Sequence, residues 1–77
     1  MVTAREAVLH AIEDVTGVQG PGDDVRFDSL GDSLQRLEIA VEIETALGVL
    51  LPEDIEHKVA TVGELVAAVE RAMGAER

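Results

Sequence analysis

Residues 33–48 read Ser33-Leu34-Gln35-Arg36-Leu37-Glu38-Ile39-Ala40-Val41-Glu42-Ile43-Glu44-Thr45-Ala46-Leu47-Gly48, and this stretch decides the fold. No Pro interrupts it, and Gly48 is a stop of the kind found just past a helix. At about 100° per residue, Ile39, Ala40, Ile43, Ala46 and Leu47 share one broad face, the core stripe of a helix over residues 33–47. Leu34, Leu37 and Val41 gather on roughly the opposite side, bordered by Glu38, Glu42, Glu44 and Thr45. A helix in a small bundle cannot bury both sides. Leu34 and Val41 are therefore expected to be exposed, and apolar residues ringed by carboxylates suit a docking surface. The competing reading is a crowded bundle that tucks Leu37 and Val41 in.

The flanking segments extend the helical pattern. Thr3-x-x-Glu6 has the form of a capping box, and Val8, Ile12 and Val15 recur behind it at helical spacing with Leu9 beside them, up to Gly17. From Val18 to Asp32 the chain reads as a loop, broken at Gly20-Pro21-Gly22. Val25, Phe27 and Leu30 are expected to pin that loop to the core, since an unanchored loop of this length is unusual in so small a domain. After Gly48, Pro52 is expected to open a short helix with Glu53 and Asp54 in its first turn, ending near Val59 or Ala60. Thr61-x-x-Glu64 is a second capping box, opening a last helix with the stripe Val62, Leu65, Val66, Val69 and Met73. Residues 74–77 read as a frayed tail. The expected fold is all-α: one domain over residues 1–77, a small antiparallel bundle of three longer helices and one short one.

Composition narrows the function. The 77 residues carry 16 Asp and Glu against 6 Lys and Arg, a formal net charge of −10, with no Cys and a single aromatic, Phe27. Without Cys there is no disulfide framework and no thiolate zinc site. The negative charge argues against nucleic acid, whose phosphates need Lys and Arg. No apolar run approaches the ~20 residues that span a bilayer, and a cytoplasmic monomer is expected. The apolar content of 47% argues against disorder, despite the charge. So short a domain is expected to be acted upon by enzymes rather than to be one.

The obvious catalytic readings fail. His10 and His57 have no second ligand at metal-site spacing, and no metal site is expected. Gly31-Asp32-Ser33-Leu34 spells a short esterase signature, but that motif belongs to an α/β enzyme several times this size. A triad would also need a cleft and an oxyanion hole for which there is no room.

The same residues fit another family. Leu30-Gly31-Asp32-Ser33-Leu34 resembles the attachment site of the acyl carrier proteins, where Asp-Ser-Leu opens the second helix. Glu38-Ile39, Glu44, Leu47-Gly48-Val49, Leu51-Pro52 and Thr61-Val62-Gly63-Glu64-Leu65 match in type and order. One departure is that Gly31 is followed directly by Asp32, without the family's intervening variable residue. Asp-Ser-Leu occurs twice, at 28–30 and 32–34. Counted from Ser33, Leu47 and Pro52 fall where the family places its helix-end apolar residue and its Pro. Counted from Ser29 both are four residues late, and Gly31 would sit in the first helical turn at a cost of up to ~1 kcal/mol relative to Ala. Ser33 is the expected site and Ser29 the fallback. A plain N-cap serine is the bland alternative for Ser33.

The resemblance implies a function. A phosphopantetheinyl transferase attaches 4′-phosphopantetheine to Ser33 Oγ, with Asp32 and Leu34 beside it and Asp32 assisting that enzyme, for instance through its Mg²⁺. The arm's thiol holds acyl groups as thioesters, which answers the lack of Cys in the chain. Acyltransferase, ketosynthase and other synthase partners would meet Leu34, Glu38, Val41 and Glu44 through basic patches. Residues 23–56 hold ten Asp or Glu and two Arg, a net −8 of the −10, and charge gathered in this way speeds and orients brief encounters. In some members an acyl chain enters between the second and third helices. The expected role is a discrete acyl carrier of polyketide or fatty acid synthesis. Richness in Ala, Val, Gly, Glu and Arg tilts this toward polyketides. The alternatives are a peptidyl or aryl carrier of nonribosomal synthesis, or an unmodified acidic helical adaptor.

Overall fold

The computed structural model describes residues 2–75. It contains four helices: α1 (Ala4–Thr16), α2 (Ser33–Leu47), α3 (Ile55–Lys58) and α4 (Val62–Ala75). The signals that start and stop the first two act as the sequence predicts. Thr3 Oγ1 accepts from Glu6 N at 3.1 Å and Glu6 Oε1 accepts from Thr3 N at 3.0 Å, the reciprocal pair that satisfies two free donors. Gly17 and Gly48 end α1 and α2 in the left-handed conformation, each amide donating four residues back.

The core is aliphatic and closes around one ring. Phe27 is 1% exposed, and Val8, Ile12, Ile39, Ile43, Val62, Leu65 and Val69 are equally buried. α1 packs on α2 and α4, and α3 leans on α2. The radius of gyration is 11.0 Å, against about 11.5 Å for a compact chain of this length. The disordered reading is thereby excluded.

The long loop is strapped as well as anchored. Phe27 N donates to Ala60 O at 2.9 Å, Val62 N to Val25 O at 3.0 Å, and Gly63 N to Asp23 O at 2.9 Å. These bonds tie residues 23–27 to the α3–α4 connection, with one antiparallel bridge between Arg26 and Thr61. Gly63 permits this approach, because a Cβ there would lie 3.1 Å from Asp23 Cβ. Phe27–Ser29 then make a single 3₁₀ turn that drives Phe27 and Leu30 into the core.

Several expectations need correction. α3 does not start at Pro52. Asp54 takes the left-handed conformation (φ 61°), which no helix interior allows, so Pro52–Ile55 close a turn and the helix begins at Ile55. Glu53 and Asp54 therefore precede its first turn. Ala46 is exposed. On the wheel it lies about 20° outside the arc from Ile39 to Ala40 that the neighbouring helices cover. The second capping box is a variant: Glu64 N donates to Thr61 Oγ1, but Glu64 Oε1 reaches past Thr61 to Ala60 N. α4 runs on through Gly74 to Ala75, so those two residues are helical rather than frayed. Glu76 and Arg77, the rest of the expected tail, lie outside the described residues. Among the described residues no helix is long and apolar enough to cross a membrane.

Candidate functional site

The start of α2 is built by Asp32, not by Ser33. Asp32 Oδ1 accepts from Gln35 N at 2.8 Å, and Asp32 N donates to Gln35 Oε1 at 3.1 Å. This third capping box, Asp32-x-x-Gln35, is legible in the sequence but was hidden behind the Asp-Ser-Leu reading. It overturns the reading of Ser33 as a plain N-cap. It also explains Gly31. Its φ is +148°, and a Cβ would lie 2.6 Å from Gln35 Oε1, inside the space the returning glutamine needs.

Ser33 is consequently the first helical residue, exposed, and its hydroxyl makes no hydrogen bond among the described residues. The amides of Ser33 and Leu34, at the positive end of the helix dipole, precede the first intrahelical bond, Arg36 N to Asp32 O. A free hydroxyl beside free N–H donors is a place where a phosphate group is tolerated. Ser29 differs. It lies in the 3₁₀ turn and its Oγ donates to Arg26 O at 2.6 Å. Asp28, in the first Asp-Ser-Leu, is spent on Arg26, whose guanidinium holds the Asp28 carboxyl below its ordinary range.

The outer side of α2 is apolar and open. Leu34 is 64% exposed and Val41 51%, and Leu37 is exposed with them. The crowded-bundle reading thus fails at both Leu37 and Val41. A shallow depression of about 350 Å³ is lined by Val15, Leu37, Glu38, Val41 and Glu42. Glu38 faces solvent there. Glu44 does not simply join that rim: its Oε2 accepts from Leu51 N at 2.8 Å, pinning the segment after α2.

Cavities border α3 on the sides of α2 and α4. One of about 210 Å³ lies against α2, lined by Leu37, Ala40, Val41 and Ile55 with Glu44, Glu53, Asp54 and Glu56 around it. The larger, about 620 Å³, lies against α4 between Leu50, Leu51, Ile55, Val59, Ala68 and Ala72. Sequence spacing also missed a constellation across two helices. Donor atoms of His10, Asp14 and Glu42 lie within 4.8 Å of one another. Burial raises the Glu42 pKa above the ordinary carboxyl value, and the neighbouring Asp14 raises it further. His10 and Asp14 share a face of α1 at i, i+4, but Glu42 is supplied by packing.

A family model described as "Phosphopantetheine attachment site" matches residues 6–69. Two acyl carrier proteins are similar over most of their length. The actinorhodin polyketide synthase acyl carrier protein of Streptomyces coelicolor is 33% identical over 72 residues, 90% of this chain and 84% of that protein. The acyl carrier protein of Rubrobacter xylanophilus is 34% identical over 70 residues, 80% of this chain and 86% of that one. No solved structure matches the chain at a comparable level.

Proposed function

The chain belongs to the phosphopantetheine-attachment family of acyl carrier proteins, and we propose that Ser33 is its attachment residue and that it carries acyl groups in polyketide synthesis. The observation that carries the assignment is the division of labour at the start of α2. Asp32 and Gln35 do the capping, which leaves the Ser33 hydroxyl exposed and unengaged. Ser29, the other serine in an Asp-Ser-Leu, has its hydroxyl bonded to its own turn.

The family's cofactor is 4′-phosphopantetheine, which supplies a thiol that holds acyl groups as thioesters. The residues of this chain do the rest. Ser33 Oγ would supply the oxygen of a phosphodiester: it would displace adenosine 3′,5′-bisphosphate from the pyrophosphate of coenzyme A as the P–O–P bond breaks, with the serine proton passing to a base on the transferase. The two free amides of Ser33 and Leu34 and the helix dipole would favour the phosphate's negative charge. Asp32 keeps one carboxylate oxygen for Gln35 N, while the other makes no hydrogen bond among the described residues and can meet the transferase or its metal ion. Leu34, Leu37 and Val41 present the apolar centre of a docking face, with Glu38 on its rim for basic patches on the transferase, acyltransferase and ketosynthase. Encounters of this kind gain orientation and speed from charge rather than great affinity. The similarity to a polyketide synthase carrier supports the polyketide assignment over fatty acid synthesis.

The test is direct. The purified chain is incubated with a promiscuous phosphopantetheinyl transferase and coenzyme A, and its intact mass is measured. Gain of one arm by the parent and by Ser29→Ala, but not by Ser33→Ala, is the expected result. No gain by the parent would refute the carrier reading, and gain by Ser33→Ala would move the site to Ser29.

A further inference from the structure

Three donors that sequence spacing does not assemble meet at the outer edge of the contact between α1 and α2. His10 and Asp14 stand one turn apart on α1, so their side chains rise from the same face. Glu42 belongs to α2, and the packing of α2 on α1 carries it to them. One donor atom from each, an imidazole nitrogen and two carboxylate oxygens, lies within 4.8 Å of the other two. His10 and Asp14 are exposed and Glu42 is half-buried, so solvent reaches the cluster from one side.

The charges there are unbalanced. Asp14 and Glu42 face one another as like charges across the helix contact. Arg5 is paired with Asp23 and Arg26 with Asp28, while neither Asp14 nor Glu42 has an ion-pair partner among the described residues. His10 forms no ion pair with either of them. The three donors thus converge without satisfying one another, and what suits the space between them is a cation. A point central to three atoms so spaced lies at most about 2.8 Å from each, against roughly 2.0–2.2 Å for zinc bound by imidazole and carboxylate. Rotation of the two exposed side chains closes that difference. The donor set also selects the class of ion. An imidazole suits zinc and its transition-metal neighbours, whereas magnesium and calcium take oxygen alone.

We infer that His10, Asp14 and Glu42 form a binding site for a divalent transition-metal ion of the zinc type, bridging α1 and α2. Three protein donors leave at least one position of the ion to water. Glu42 stands nine residues beyond Ser33, about 13–14 Å along the helix, so the site is separate from the attachment serine and does not depend on that assignment. The ion fastens two helices from outside the core. Because Glu42 also lines the depression beside Leu37 and Val41, the same ion takes negative charge from the edge of the docking face.

Calorimetric titration of the full chain with zinc chloride tests this, after removal of metal by a chelator and of any histidine tag. One equivalent bound, with the ring-proton signals of His10 moved and those of His57 unmoved, is the expected result. Losing even the hydrogen-bond partner of a ligand commonly weakens a site roughly 10–100-fold, so His10→Ala and Glu42→Gln should each weaken binding by about tenfold or more. His57→Ala should bind as the parent does. Zinc should also raise the melting temperature of the parent, as any ligand of the folded state does, and leave that of His10→Ala in place. Circular dichroism checks that each variant is folded. Absence of zinc binding by the folded parent overturns the inference. So does binding that survives His10→Ala, or that equal magnesium chloride displaces, since either marks general attraction of cations to an acidic surface. Each of these outcomes leaves the Ser33 assignment untouched.

Discussion

The capping of α2 lends itself to a quantitative test, because two substitutions at Asp32 separate its structural duty from its charge. Asp32→Ala removes the acceptor of the 2.8 Å bond from Gln35 N, a loss of about 1 kcal/mol for an N-cap. Asp32→Asn keeps an acceptor oxygen of nearly equal capping strength and gives up only the interaction of the carboxylate with the helix dipole, about 0.3–1 kcal/mol at the surface. In a domain of this size about 1 kcal/mol moves the melting temperature by roughly 4–8 °C. Melts followed by circular dichroism at one protein concentration should therefore place Asp32→Ala about 4–8 °C below the parent, with Asn between the two. Gln35→Ala belongs in the same series, because the double variant measures the coupling of the two halves of the box. Initial rates of phosphopantetheine transfer, taken where all variants are folded, read the other duty. If the Asp32 charge serves the transferase, the Asn variant is slowed although its fold is kept. An Ala variant that melts within about a degree of the parent would refute the claim that Asp32 builds the helix start on which the exposure of Ser33 depends.

Other outcomes follow from the same geometry. Gly31→Ala forces a Cβ to within 2.6 Å of Gln35 Oε1 at φ +148°, so it should cost about 1–3 kcal/mol; adding Gln35→Ala removes the Oε1 and Cδ contacts but keeps the Cβ at 3.0 Å and the backbone strain, so urea titrations should recover only a minor part of the loss. Glu42 has its pKa raised in the fold by burial and by Asp14, with His10 opposing. Its contribution to stability is thus present below the unfolded carboxyl's pKa and lost as pH rises through the folded value. Glu42→Gln should therefore be more stable than the parent at neutral pH, by the few tenths of a kcal/mol (about 0.2–0.5) typical of exposed like-charge neighbours, and the gap should close on acidification; a gap constant with pH would show the carboxylate pair to be irrelevant. Val41→Ser, at an exposed position, should leave stability within about 0.5 kcal/mol yet slow transfer from a partner acyltransferase. Glu38→Lys should slow the same transfer most at low salt, and rates unchanged across salt would dismiss the acidic docking face.

Much of this architecture could be read from sequence because local signals and apolar periodicity agreed. Thr3, Gly17 and Gly48 bounded α1 and α2 correctly. Phe27 and Leu30 had to be buried, since a loop of that length needs anchors. Where the reading failed, backbone geometry or distant packing decided. Pro52 is a good first residue for a helix, but the left-handed Asp54 two residues on delays α3 to Ile55. Ala46 sits at the margin of a stripe whose buried width is set by α1 and α3, not by its own helix. Glu44 looked like a free docking carboxylate until the chain after Gly48 turned back and gave it the Leu51 amide. A space of about 320 Å³ that Arg26, Arg36 and Lys58 line together was illegible for the same reason. Arg26, Arg36 and Lys58 lie far apart in sequence, and only the strapping of residues 23–27 to the α3–α4 connection brings their elements together. At the site itself, spacing selected Ser33 over Ser29, while the reason its hydroxyl is free lay in a capping box that the conspicuous motif concealed.

The most direct test of the central claim locates the arm within one peptide. Trypsin cuts after Arg26 and Arg36, so residues 27–36, Phe-Asp-Ser-Leu-Gly-Asp-Ser-Leu-Gln-Arg, emerge as a single fragment holding both candidate serines. After modification with coenzyme A and a phosphopantetheinyl transferase, fragmentation of that peptide by mass spectrometry should leave Phe27–Ser29 at its unmodified mass and place the whole added mass on Ser33–Arg36. Added mass on Phe27–Ser29, or a peptide that gains none, would contradict the account.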